Sequence, residues 1–136
     1  MSRTTLLLAA LSMTCASAAV AVPGTALAAS GFQNTCSNIA FAYSASGQAT
    51  LTATCLRADG SPNSSSLVLN GIGNQNGNLV QGSGSSSFQK SCGNIQITAN
   101  AQGANLTALC RTSSGGSNAT SLPLNNIGNN NGTLSY

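Results

Sequence analysis

The stretch LVLNGIGNQNGNL at residues 67 to 79 returns fifty-five positions later as LPLNNIGNNNGTL at residues 122 to 134, and FQNTCSNI at 32 to 39 returns as FQKSCGNI at 88 to 95. An internal repeat constrains a fold more than composition does, because both copies must satisfy the same local geometry. The offset is fifty-six at the start of the repeat and fifty-five by ATLTATC (49 to 55) against ANLTALC (104 to 110). One residue is therefore lost in between, in the turn near SASGQ. Repeat one covers about 32–80 and repeat two about 88–136. Two copies are too few for a solenoid, which needs roughly three or more units for a continuous core. A paired, pseudo-symmetric domain is expected.

Each copy reads as β-structure. Ala49, Leu51, Ala53 and Cys55 alternate with Thr50, Thr52 and Thr54, a period of two that puts one face in a core and the other in water. Leu106, Ala108 and Cys110 repeat the pattern, and IAFAY and IQITA supply the preceding strands of antiparallel hairpins. Asn-Gly in NGNL and NGTL tolerates positive φ and predicts a tight turn into a strand. Leu67, Leu69, Ile72 and Leu79, with their copies Leu122, Leu124, Ile127 and Leu134, are expected in the core. Phe32 and Phe88 are expected there too. Tyr43 and Tyr136 remain as aromatic rings available to a ligand.

Four cysteines recur with the repeat: Cys36, Cys55, Cys92 and Cys110. Four allow three pairings, and the repeat favours Cys36–Cys55 and Cys92–Cys110, which enclose loops of nearly equal length. Each bond is expected to contribute roughly 3 kcal/mol by restricting the unfolded chain. A metal site is the poorer reading, because no close C-x-x-C pair exists. The fifth cysteine, Cys15, falls in residues 1–28, read as a signal peptide: a positive start at Arg3, an apolar stretch, and small residues at Ala26-Leu27-Ala28, with ASA at 16 to 18 as a competing cleavage site. Small and polar residues interrupt that stretch, so it does not read as a membrane span. The mature chain, 29–136, is expected to be secreted and extracellular, or associated with a cell wall, with no membrane span.

Charge excludes several functions. Beyond residue 28 only Arg57, Lys90, Arg111 and Asp59 carry charged side chains, and the chain has no histidine. Three scattered cations cannot supply the phosphate neutralisation that nucleic acid binding requires. A glycosidase needs two carboxylates, a hydrolase triad of the usual kind needs histidine, and zinc or calcium cages need ligands that are missing here. The chain is not expected to be an enzyme or to hold a cofactor or metal. QGSGSSS, residues 81–87, has the composition of a flexible hinge between the halves. A monomer is expected, with a domain-swapped dimer as the alternative. Asn-x-Ser/Thr sites at Asn63, Asn105, Asn118 and Asn131 are glycan acceptors only if the chain passes a eukaryotic secretory route.

The F-x-x-T/S-C starts (Phe32 to Cys36, Phe88 to Cys92), the second cysteine of each half and the L-x-L-N…I-x-N-x-N-G-x-L endings together resemble the cyanovirin-N homology family of lectins, from Phe32 to Tyr136. The resemblance implies an all-β domain whose two halves exchange strands into two lobes, and a metal-independent lectin for mannose-rich glycans or glycoproteins. It implies one sugar site at Asn34, Thr35, Arg57 and Ala58 with Asn129, Asn131 and Gly132. A second would use Lys90, Ser91, Arg111, Thr112 and Ser113 with Asn74, Asn76 and Gly77. Such residues offer the dense donors and acceptors that sugar hydroxyls need. Leu56 and Ala58 offer no side-chain hydrogen bond, so the second site is favoured. The alternative is a structural or adhesion protein of the same fold with decayed sites.

Overall fold

The structure, a computed structural model, describes residues 28–136; the expected signal peptide, residues 1–27 of it, lies outside the described residues. Ten strands follow one another: β1 (Cys36–Tyr43), β2 (Ala49–Leu56), β3 (Pro62–Val68), β4 (Asn70–Gln75), β5 (Asn78–Ser85), β6 (Cys92–Asn100), β7 (Gly103–Arg111), β8 (Ser117–Leu124), β9 (Gly128–Asn130) and β10 (Thr133–Ser135). A single turn of 3-10 helix precedes β1 (Phe32–Asn34) and another precedes β6 (Phe88–Lys90). Among the described residues no helix is long and apolar enough to cross a membrane.

All pairings are antiparallel. β1-β2-β3 and β6-β7-β8 form two three-stranded sheets, while β4-β5 and β9-β10 form two separate hairpins. Each hairpin packs on the sheet of the other repeat: β5 lies against β8, and β10 against β3. The exchange is bonded at equivalent atoms. The Leu79 N–H donates to Thr120 Oγ1 (3.1 Å) and the Leu134 N–H to Ser65 Oγ (2.9 Å). Each lobe is therefore built from both halves of the sequence.

The expected alternation is present on β2 and β7, with Leu51, Cys55, Leu106 and Cys110 fully buried. Thr50 departs from it. Its position, expected in water, is buried, and its hydroxyl satisfies itself by donating to Ala42 O (2.7 Å). Phe32 and Phe88 anchor one core that runs through both lobes, each ring contributing roughly 1.5–3 kcal/mol relative to exposure. Leu67 and Leu122 are only partly buried against its edge. Cys36 faces Cys55 and Cys92 faces Cys110 in register, and both pairs are disulfide-bonded, one in each repeat half.

The hinge reading of residues 81–87 is corrected by the structure. Gln81 to Ser85 continue β5, with Gln81 opposite Ile72 and Ser85 opposite Asn70 across a bulge. Ser86 then closes the junction: its hydroxyl donates to Leu69 O (2.6 Å) and accepts from the Ile72 N–H (3.0 Å). Ser30 makes the same two bonds at the other copy, to Leu124 O and from the Ile127 N–H. Composition marked this stretch as a linker, but backbone pairing needs no apolar side chains. The repeated L-x-L-N…I segment is thus tied in each copy by a serine ahead of a phenylalanine turn.

Candidate functional site

The two Asn-Gly turns sit at the outer ends of the exchanged hairpins. Asn76 and Gly77 have φ of 51° and 89°, and Asn131 and Gly132 have 50° and 90°, the left-handed conformation that a two-residue hairpin turn requires. Both glycines are also enforced by crowding. A Cβ on Gly77 would lie 2.8 Å from Thr112 Cγ2 and 2.9 Å from Asn118 Cβ; one on Gly132 would lie 2.8 Å from Arg57 Cγ. Each turn is pressed against the loop that follows the second cysteine of the other half.

One asparagine of each turn acts as an internal clamp. Asn74 Nδ2 donates to Ser91 Oγ (2.9 Å) and Arg111 O (3.0 Å), and its Oδ1 accepts from the Gly77 N–H (2.8 Å). Asn129 repeats all three contacts, donating to Thr35 Oγ1 (2.9 Å) and Leu56 O (2.8 Å) and accepting from the Gly132 N–H (2.8 Å). These amides hold the site together; both of their hydrogens are already engaged. Asn76 Oδ1 accepts from the N–H and hydroxyl of Ser113 (2.9 and 2.8 Å), and Asn131 Oδ1 from the Ala58 N–H (2.8 Å). Cross-half assembly thus brings together the residues expected at each end. Asn34 and Lys90 stand in the 3-10 turns next to Thr35 and Ser91.

The two ends differ in their cations. Arg57 is folded back onto its own loop, donating from Nη1 to Ser61 Oγ and Pro62 O (both 3.1 Å) and from Nη2 to Asn63 Oδ1 (2.8 Å). Beside it, the Ser61 hydroxyl and N–H hold the Asp59 carboxyl below the usual carboxylate range. Arg111 has no such partners among the described residues. Its backbone is used, the N–H donating to Ser91 O (3.0 Å), and its exposed side chain lines a cleft of about 400 Å³ with Lys90, Ser91 and Ser117. Thr112 is a turn former, its Oγ1 accepting from the Gly116 N–H (3.0 Å).

Several residues of these ends were not singled out as site residues from sequence. Asn118 Nδ2 donates to Gly77 O (2.8 Å), and Asn63 Nδ2 donates to Gly132 O (2.8 Å); both had been noted only as glycan acceptors. Their shared repeat position is the signal that links them. Gly93, Asn94 and Leu109 complete the cleft beside Lys90 and Arg111, and their register on neighbouring strands is a tertiary fact.

What this arrangement can do is hold a polar, uncharged or weakly charged ligand by hydrogen bonds in a shallow, preformed notch. Known proteins share the fold that carries it. The structure of TbCVNH from T. borchii is 33% identical, covers 78% of this chain and 98% of that one, and superposes with a TM-score of 0.59. A microvirin:mannobiose complex is 30% identical over 77% of this chain and 96% of that one, with a TM-score of 0.56. A designed cyanovirin-N homologue lectin, LKAMG, is 28% identical over 78% and 98%, with a TM-score of 0.58. No curated protein matches the chain. The CVNH domain matches residues 32–135, both repeats and both disulfides included, and the chain belongs to that family.

Proposed function

We propose that this protein is a non-catalytic, metal-independent lectin that binds mannose-type oligosaccharides at the Lys90–Arg111 end of the second lobe. The observation that carries the reading is the cleft of about 400 Å³ in which the exposed Arg111 side chain stands beside Lys90, Ser91 and Ser117. The floor of that end is fixed by the Asn74 clamp, so little ordering is needed on binding. The family and the mannobiose bound to microvirin support the ligand class. The opposite end is the weaker partner, because Arg57 is engaged by its own loop and Leu56 and Ala58 offer only backbone. Two disulfides suit an exported protein, in keeping with residues 1–28 as a secretion signal.

Isothermal titration of the wild-type protein and Arg111→Ala with a mannobiose-terminated oligosaccharide tests the reading. Arg111→Ala is expected to weaken binding about tenfold or more, as for a charged hydrogen-bond donor removed from a site, while Arg57→Ala leaves affinity unchanged. Adding EDTA is expected to have no effect. Equal affinity for Arg111→Ala and wild type would remove this cleft as the site.

A further inference from the structure

A second cleft, of about 290 Å³, opens where the two repeats meet, away from both ends, between Asn70, Gln81 and Gly82 of the first half and Asn125, Asn126 and Tyr136 of the second. Asn70 and Asn125 are repeat equivalents, and so are Gln81 and Tyr136, so the cleft straddles the pseudo-twofold relation between the halves. Duplication alone would leave it symmetric. Instead, one wall carries an amide and the other an aromatic ring.

We propose that this cleft is a further saccharide site, accepting a single neutral pyranose ring of a glycan against Tyr136; the choice of ligand class rests on the lectin reading above. Tyr136 is 56% exposed as a residue, yet its hydroxyl is pinned, accepting from the Asn70 N–H (3.2 Å) and donating to Val68 O (3.5 Å). An exposed ring that is already held in place offers its face at little entropic cost. Gln81 Nε2 gives both hydrogens to Asn70 O (2.9 Å) and Gly82 O (3.1 Å), which leaves Oε1 as an acceptor. Asn126 stands at the rim at φ 65°, and its side-chain amide offers both a donor and an acceptor. An apolar face with acceptor and donor amides at its rim, and no charged side chain lining it, complements a sugar with one C–H face and a ring of hydroxyls. The volume is at the small end for ligand clefts and suits one ring.

Amide chemical-shift titrations with mannobiose and with an N-acetylglucosamine oligomer, on wild type, Arg111→Ala, Tyr136→Ala and Tyr136→Leu, test the assignment. Saturable shifts are expected at Asn70, Gln81, Gly82 and Asn126 with at least one of the two probes. They should persist in Arg111→Ala and require about tenfold more sugar in both Tyr136 variants, with the β6–β8 signals of those variants in place as evidence of folding. Shifts confined to Lys90, Ser91 and Arg111 would overturn this site and leave the lectin reading standing. Shifts at neither place would overturn both. Shifts around the central cleft that ignore both Tyr136 substitutions would also overturn the role given to the ring.

Discussion

Asn74 and Asn129 look alike in the sequence to any asparagine of a polar turn, and only their partners distinguish them. Each amide uses both of its hydrogens on the chain itself, and so shapes the notch. The glycines beside them answer to two constraints at once. Gly77→Ala is expected to cost about 2–4 kcal/mol, because it adds a clash with Thr112 and Asn118 to the cost of positive φ. Gly47→Ala, at φ 86° with open space around it, is expected to cost about 1 kcal/mol; denaturant unfolding of the two variants separates crowding from backbone strain. Asp59 supplies the pH test. Its carboxyl is lowered, first by the Ser61 hydroxyl, from an ordinary value of 3.8. Its small contribution to stability is present above that value and is lost as the pH falls through the lower folded one. Asp59→Asn is expected to abolish this acid-side slope in thermal unfolding.

At the scale of elements, much was legible. The two-residue alternation located β2 and β7, the Asn-Gly pairs located the turns between β4 and β5 and between β9 and β10, and the equal loops selected the disulfide pairing. Each of these signals is local or comes from the repeat. Residues 81–87 were misread for a physical reason: Gly and Ser give no hydrophobic period, yet the backbone of Gln81 to Ser85 finds partners on β4, and the Ser86 hydroxyl replaces a missing ladder bond. The disulfides staple β1 to β2 and β6 to β7 across separations of 19 and 18 residues. Replacing Cys92 and Cys110 together by alanine is expected to lower unfolding free energy by about 3 kcal/mol, measured by denaturant titration. A similar loss is expected for the Cys36–Cys55 pair, since the two loops are almost the same length.

For the whole molecule, strand exchange converts a tandem repeat into two lobes that each contain both copies, so neither half has a complete core or a complete end site by itself. The two ends are nevertheless unequal, since Arg57 is folded into its loop while Arg111 stands open beside Lys90. Titration of the Tyr136→Ala variant, in which the central cleft is weakened, is expected to give one sugar site per chain at the end of the second lobe; two equal sites would show that Arg57 is released on binding. The sequence by itself determined the β-class, the duplication, the cysteine pairing and most core positions, because periodicity, spacing and turn chemistry act over neighbouring residues; the residues of the two ends came from the family resemblance. Only the tertiary structure decided which amides are engaged as clamps, which arginine is open, that residues 81–85 of the supposed hinge are strand, and that the Tyr136 hydroxyl meets the Asn70 N–H in a cleft that Gln81 also lines. Those outcomes depend on which hydrogen-bonding groups meet across the two halves, and residues far apart in the chain carry no local signal of the partners they will find.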